Sequence, residues 1–300
     1  MTTTTTTTVP AAGGRGTPGR RGVRLRARAA WLVLPATALL LVFFFYPIAT
    51  IVWRSFTEPR TGLGNYTALL HDGVSVKVLV RTLVTALIVA ASTLVIAYPY
   101  AYAMTRVGAR ARGVLTMIVL LPFWTSLMAR NFAWYMLEQR GGPIERLLGA
   151  VGFDGVVLLG TVPGVTLAMV QVMLPFMVLP LYSGMEGIDR RLLDAAGSLG
   201  APRWRAFARV YLPLSVPGVL SGFSLVFIMT LGFYITPALL GSPQQSLVSQ
   251  VIGERVNRLL DFGGAGALGG VLLAVTLVVL FAVSRVARPA RALGGAVGHE

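Results

Sequence analysis

Asp194-Ala195-Ala196-Gly197-Ser198-Leu199-Gly200, closed by Val210-Tyr211-Leu212-Pro213, is a polar, arginine-bearing island between two long apolar runs. Its residue types suit docking rather than catalysis. Asp189 is placed to cap a short helix by accepting hydrogen bonds from the free N–H groups that follow it. Ala195 and Ala196 present almost no side chain, so another protein surface can approach the backbone. Gly200 suits the left-handed turn that ends a helix, and Pro202 the first turn of the next. In that second helix Trp204, Phe207, Ala208 and Tyr211 are expected on one face, with Arg205 and Arg209 paired on another. The chain thus reads as leaving an apolar phase, making a helix–turn–helix excursion and returning.

The runs on either side say what that phase is. A helix needs about 20 apolar residues to cross a bilayer. Stretches of that order occur at Ala29–Trp53, Thr82–Thr105, Gly155–Met185, Leu214–Thr236 and Phe262–Ser284. A sixth, Gly113–Leu137, is interrupted by Arg130 and Asn131. Overall the 300 residues are 55% hydrophobic and 12% charged, against about a quarter charged in soluble domains. The expected fold class is all-α, a polytopic membrane protein of six transmembrane helices. The first run exceeds the roughly 7–15 residues of a signal-peptide core, and no small-residue cleavage site follows it, so it reads as a retained helix.

Charge sets the orientation. With both termini in the cytoplasm, the inside segments carry 17 basic residues and four acidic ones, the outside segments eight and seven. This asymmetry is the positive-inside rule, and it accounts for the net charge of +15 without a nucleic-acid partner. The chain has no cysteine, and its two histidines, His71 and His299, have no partner at a metal-ligand spacing. No metal or other cofactor is expected. Lys77 is the only lysine and no phosphate-cradling G-x-x-x-x-G-K-[ST] occurs, so ATP would have to act through a separate subunit.

The island resembles the EAA loop of ABC-importer permeases. That loop has an acidic residue, two alanines, a glycine four residues later, then nine residues before an aliphatic residue, any residue, Leu and Pro. Asp194, Ala195, Ala196, Gly200, Val210, Leu212 and Pro213 match in register, with Asp for the usual Glu and Val for the usual Ile. Leu174-Pro175-Phe176-Met177-Val178-Leu179-Pro180-Leu181-Tyr182-Ser183 and Gly232-Phe233-Tyr234-Ile235-Thr236-Pro237-Ala238-Leu239-Leu240-Gly241 look like the fourth and fifth helices of spermidine/putrescine-type permeases. With Pro122-Phe123-Trp124-Thr125-Ser126 they extend the resemblance over about Lys77 to Arg285. It implies a type-1 ABC-importer transmembrane domain, half of a two-permease pore with a second permease, expected as a heterodimer. ATP-binding cassette subunits would lie below and an extracytoplasmic solute-binding protein above, all in the cytoplasmic (inner) membrane and its lipid bilayer. The subfamily also takes in carriers of opines, aminophosphonates and ferric iron.

The expected organisation is a disordered tail over 1–28, a first transmembrane helix and outer loop over 29–76, the permease domain over 77–285 and a cytoplasmic tail over 286–300. Within the domain Pro99, Pro122, Pro175, Pro180 and Pro217 interrupt helix hydrogen bonding, which either shapes a path or reflects the frequency of proline in membrane helices. Trp124, Arg130 and Tyr234 are the candidate path residues. Arg130 is the one charge inside a spanning run. It either reaches the outer headgroups, pairs with an acidic residue such as Glu138, or meets an anionic solute group. No Asp or Glu is expected deep in a helix, which fits a polycation cage poorly. The same lack argues against an ion-coupled secondary transporter, the alternative from another class. An intramembrane enzyme lacks a nucleophile–base or metal constellation.

Overall fold

The computed structural model describes residue 35, residues 37–189 and residues 191–294; the expected tail over 1–28 and the end of the chain, 295–300, lie outside the described residues. The chain divides into two compact units after Ile51. That division falls within the first long helix, α1 (Thr37–Thr57), which contains a π-helical turn at Leu41–Phe45. Phe43, Phe44 and Phe45 on it are exposed, as suits a helix facing lipid.

The described residues of the second unit form helices joined by turns and loops, with no strand among them. In order it contains α2 (Gly64–His71), α3 (Gly73–Arg106), α4 (Ala109–Trp124, its last turn 3₁₀), α5 (Leu127–Glu138) and α6 (Pro143–Ala150). There follow α7 (Val162–Glu186), α8 (Arg191–Ser198), α9 (Arg203–Leu231), α10 (Ile235–Leu240), α11 (Val248–Glu254) and α12 (Phe262–Gly294). Five of these helices, α1, α3, α7, α9 and α12, are long and apolar enough to cross a membrane singly. The expected third span differs. It is broken into α4 and α5, which meet at 93°. Pro122 is the physical reason: it starts the tight turn that ends α4, after which Thr125 and Ser126 are not helical. The bent pair supplies the sixth span only if both halves are counted as one. The other four interior prolines sit in unbroken helices.

The core is where α3, α7 and α9 meet. In lipid the hydrophobic effect does not drive helices together, so close packing of small side chains must. Ala86, Ala90, Ala97 and Ala101 are fully buried on α3. On α7, Met169, Met173, Met177, Leu181 and Met185 recur every four residues as a buried stripe. α7 and α9 touch backbone to backbone at Gly184 and Gly218, where a Cβ added to Gly184 would lie 2.8 Å from the Gly218 Cα. A turn later Gly222 packs on Met177.

The end of the bundle where α3 starts is closed by short elements. Asp72 caps α3 by accepting from the Val74 and Ser75 N–H groups and the Ser75 hydroxyl. Leu69 of α2 is buried with Val78, Val248, Ala267 and Leu268. The segment between α9 and α12 is tied down by backbone bonds: the Thr82 hydroxyl accepts from the Val248 N–H (2.9 Å), and Arg81 donates to the carbonyls of Gln244 and Ser246. The helix expected to end at Ser284 continues to Gly294.

Candidate coupling loop and translocation residues

The loop forms as its residues dictate. Asp189 accepts a hydrogen bond from the Arg191 N–H (2.9 Å) and so starts α8. Gly200 stands at φ +82°, the left-handed conformation that L side chains resist. Around it the Ala201 N–H donates to Ala196 O (3.0 Å) and the Gly200 N–H to Gly197 O (2.9 Å), the paired bonds of a Schellman cap. Pro202 sits just before α9 as its N-cap, with its carbonyl accepting from Arg205 and Ala206, one position earlier than the sequence suggests.

The face that α9 buries also differs from the expected one. Trp204 is 66% exposed and Ala208 is exposed, whereas Ala206 and Tyr211 are buried. A π-helical turn at Phe207–Tyr211 is the reason, because its wider winding brings residues five apart onto one face. Phe207 and Tyr211 stack at 5.4 Å, and Tyr102 of α3 meets both edge-on at 5.4 and 5.1 Å. One turn further the Tyr98 and Ser215 hydroxyls share a hydrogen bond. Arg106 lies over the Tyr102 ring and donates to its hydroxyl (2.7 Å). These aromatic contacts, each worth about 0.5–1.5 kcal/mol beyond area, fasten the return arm of the loop to the end of α3. A second tie runs to its entry: Arg112, before the apolar part of α4, pairs with Glu186 at 3.0 Å, and Glu186 also accepts from the Tyr182 hydroxyl.

Asp194, Gly197 and Leu193 line a cleft of about 520 Å³ with Tyr102, Arg106 and Phe207. Ala195 is exposed and Ala196 partly so. Beyond them Leu199 is 89% exposed and, with Leu192 and Trp204, puts apolar surface on the outward side of the loop. Leu199 was invisible as a contact residue in the sequence, because nothing in its type separates it from a core leucine. Val210 is partly buried, and Leu212 and Pro213 open the apolar part of α9.

The three candidate path residues stand on different parts of the chain. Trp124 is exposed at the elbow between α4 and α5, and Tyr234 is half-exposed before α10 with its ring 3.1 Å from a Cβ built on Gly253. Arg130 is half-buried on α5, and its Nε has no hydrogen-bond partner among the described residues. The suggested Arg130–Glu138 pair is not present. Glu138, the last residue of α5, is only 1% exposed. Its Oε2 lies 2.6 Å from where a Cβ on Gly164 would stand. In sequence Gly141-Gly142-Pro143, a turn signal, follows it closely; the 93° bend turns α5 back against α7 and buries it. A groove of about 560 Å³ between α5 and Leu239 of α10 is lined by Met128, Asn131, Phe132 and Tyr135.

Comparison with known proteins agrees with this architecture. Residues 61–291 match the family described as "Binding-protein-dependent transport system inner membrane component", and the chain belongs to that family. It is a permease subunit of an ABC importer, an all-helical multi-pass inner-membrane protein with the type-1 transmembrane fold. The spermidine/putrescine transport system permease protein PotB of Escherichia coli is 30% identical over 267 residues, covering 85% of this chain and 97% of that protein. PotB of Haemophilus influenzae is 35% identical over 192 residues, 63% of this chain and 67% of that protein. These relatives place the chain among permeases of the polyamine subfamily. A crystal structure of a bacterial ABC transporter involved in the import of the acidic polysaccharide alginate superposes with a TM-score of 0.68 at 19% identity, over 90% of this chain and 98% of that chain.

Proposed function

We propose that this chain is one half of a two-permease pore that moves a small amine-bearing organic solute into the cytoplasm, driven by ATP hydrolysis in separate subunits. The polyamine transporters among its relatives support an amine, and opines and aminophosphonates, the other organic candidates, carry one too. Both termini and the loop Asp189–Pro213 lie in the cytoplasm, where the excess of arginine is held. Asp194, Ala195, Ala196, Gly200, Val210, Leu212 and Pro213 form the element on which an ATP-binding subunit docks, with a second permease beside the chain and a solute-binding protein above it.

The observation that carries this reading is the loop's construction. It offers bare backbone at Ala195 and Ala196 and an exposed Leu199, yet its return arm is locked to α3 by Tyr98, Tyr102, Phe207 and Tyr211. A push on α8 is therefore passed to the α3–α7–α9 core rather than absorbed in a slack loop. Since the chain has no cysteine, Ser198→Cys gives a unique thiol on the loop. It should cross-link to the ATP-binding subunit in a nucleotide-dependent way. A thiol labelled only by outside, membrane-impermeant reagents, or with no cross-link to that subunit, would refute the assignment.

A further inference from the structure

The seam between α5 and α7 holds polar groups with an uneven account of donors and acceptors. The Trp134 indole N–H is used, donating to Gln171 Oε1 at 2.7 Å. The Asn131 amide N–H is used, donating to Leu127 O at 2.9 Å. What stays without a hydrogen-bond partner on α5 among the described residues is three acceptors, Asn131 Oδ1 and both carboxyl oxygens of Glu138, beside one donor, Arg130 Nε. Each of these side chains is about 99% buried, with 1% of its surface exposed. Residues 131 and 138 lie seven apart, so they share a face of α5 about 10 Å from one another along its axis. Asn131 also opens onto the groove of about 560 Å³ beside α10.

Buried acceptors without donors are costly, and a buried carboxyl group among membrane helices marks a functional site more often than a structural one. A seam built only to hold α5 on α7 would pair its acceptors with the donors at hand, yet the Trp134 and Asn131 N–H groups are spent elsewhere and Arg130 Nε meets none of these acceptors. The missing group is one rich in N–H and carrying positive charge. Gly164 supports this, since hydrogen in place of a side chain is what leaves room for the Glu138 carboxyl group on α7.

We infer that Asn131 and Glu138 form a cation-accepting site for ammonium groups of the solute in transit, entered from the groove beside α10. The spacing suits a ligand with two ammonium groups several methylenes apart, one at each acceptor. Solute entry then requires α5 to ease away from α7, and the elbow at Trp124–Ser126 supplies the hinge. This deepens the amine reading proposed above and rests on it.

The test uses the assembled importer containing the full chain, reconstituted in proteoliposomes, with radiolabelled spermidine and putrescine as probes. Glu138→Gln keeps the size of the side chain and removes its charge. It should lower uptake of both amines by roughly 10- to 100-fold at equal membrane abundance, the scale of a lost charge-assisted hydrogen bond. Uptake equal to that of the unaltered complex would overturn the site while leaving the amine-importer reading intact. An unaltered complex that accumulates neither amine would instead overturn that reading, and the site with it. Should Glu138→Gln fail to reach the membrane, the unaltered protein still decides. Labelling of Glu138 by dicyclohexylcarbodiimide, read by mass spectrometry, should fall severalfold in saturating spermidine, and labelling indifferent to spermidine would refute the site.

Discussion

Gly200 separates two accounts of the coupling loop, one resting on its turn and the other on the bare surface it offers a partner. A Cβ added there meets nothing within 4 Å, so a side chain has space and any intramolecular cost is conformational. At φ +82° a β-branched residue loses about 1–3 kcal/mol relative to glycine. Unwinding the turn to escape that strain gives up the Ala201–Ala196 and Gly200–Gly197 bonds, each worth about 1 kcal/mol net. Either way the working turn becomes scarcer by roughly 5- to 100-fold, at 1.4 kcal/mol per factor of ten. Asparagine is of similar size and tolerates the left-handed region far better. Gly200→Val should therefore uncouple solute-stimulated ATP hydrolysis from uptake in the reconstituted complex, and Gly200→Asn should retain most of it. Subunit assembly, measured by co-purification, should survive in both. Full coupling in Gly200→Val would refute the turn argument. Equal loss in both variants would show that contact by the ATP-binding subunit, and not the left-handed turn, is what the glycine serves.

Further outcomes follow from other parts of the molecule. Reporters fused after Arg112 or Arg205 should be cytoplasmic and those after Gly142 or Ser246 extracytoplasmic; a cytoplasmic signal at Gly142 would contradict a membrane-crossing α4–α5 pair. Gly218→Leu, at the point where α7 and α9 touch, should destabilise the purified protein by about 1–3 kcal/mol through overpacking, read as a lower thermal midpoint than that of Gly187→Leu, where a Cβ meets nothing within 4 Å. The Ser75 hydroxyl, with the Val74 N–H, holds the Asp72 carboxyl below its ordinary value. A depressed folded-state pKa means that its capping contribution is complete above that ordinary value and fades as pH falls through the folded one. Amide exchange at Val74 and Ser75 should thus quicken in acid beyond the intrinsic rate change, and unaltered protection would argue against the cap. Arg130→Gln should reduce uptake of every delivered solute alike; selective loss of a solute with an anionic group would instead make Arg130 a reader of substrate.

Much of this protein was legible in its sequence because the bilayer imposes a one-dimensional rule. A helix must satisfy its own backbone and present an apolar surface about 20 residues long. Apolar length alone therefore located α3, α7, α9 and α12, though not their ends: α3 begins at Gly73, well before its apolar run, because Asp72 caps it there. The helix–turn–helix geometry of the loop from Asp189 was equally readable, since Asp189 and Gly200 act through local backbone chemistry and need no distant partner.

What the sequence could not carry was anything fixed by which helix lies against which. The π-helical turn at Phe207–Tyr211 moves Trp204 outward because Tyr102, more than a hundred residues earlier, offers a ring for Phe207 and Tyr211 to pack on. Pro122 in sequence is one of several helix prolines, and only the structure shows that it alone breaks its helix, at 93°. That bend decides the environment of Glu138. Read along the chain it stands three residues before Gly141-Gly142-Pro143, the usual setting of a solvated loop residue. Folded back on α7 it loses water, and no hydrogen-bond donor among the described residues meets its carboxyl oxygens. Burial is a property of surfaces brought together, and no pattern in one of them states what the other will be.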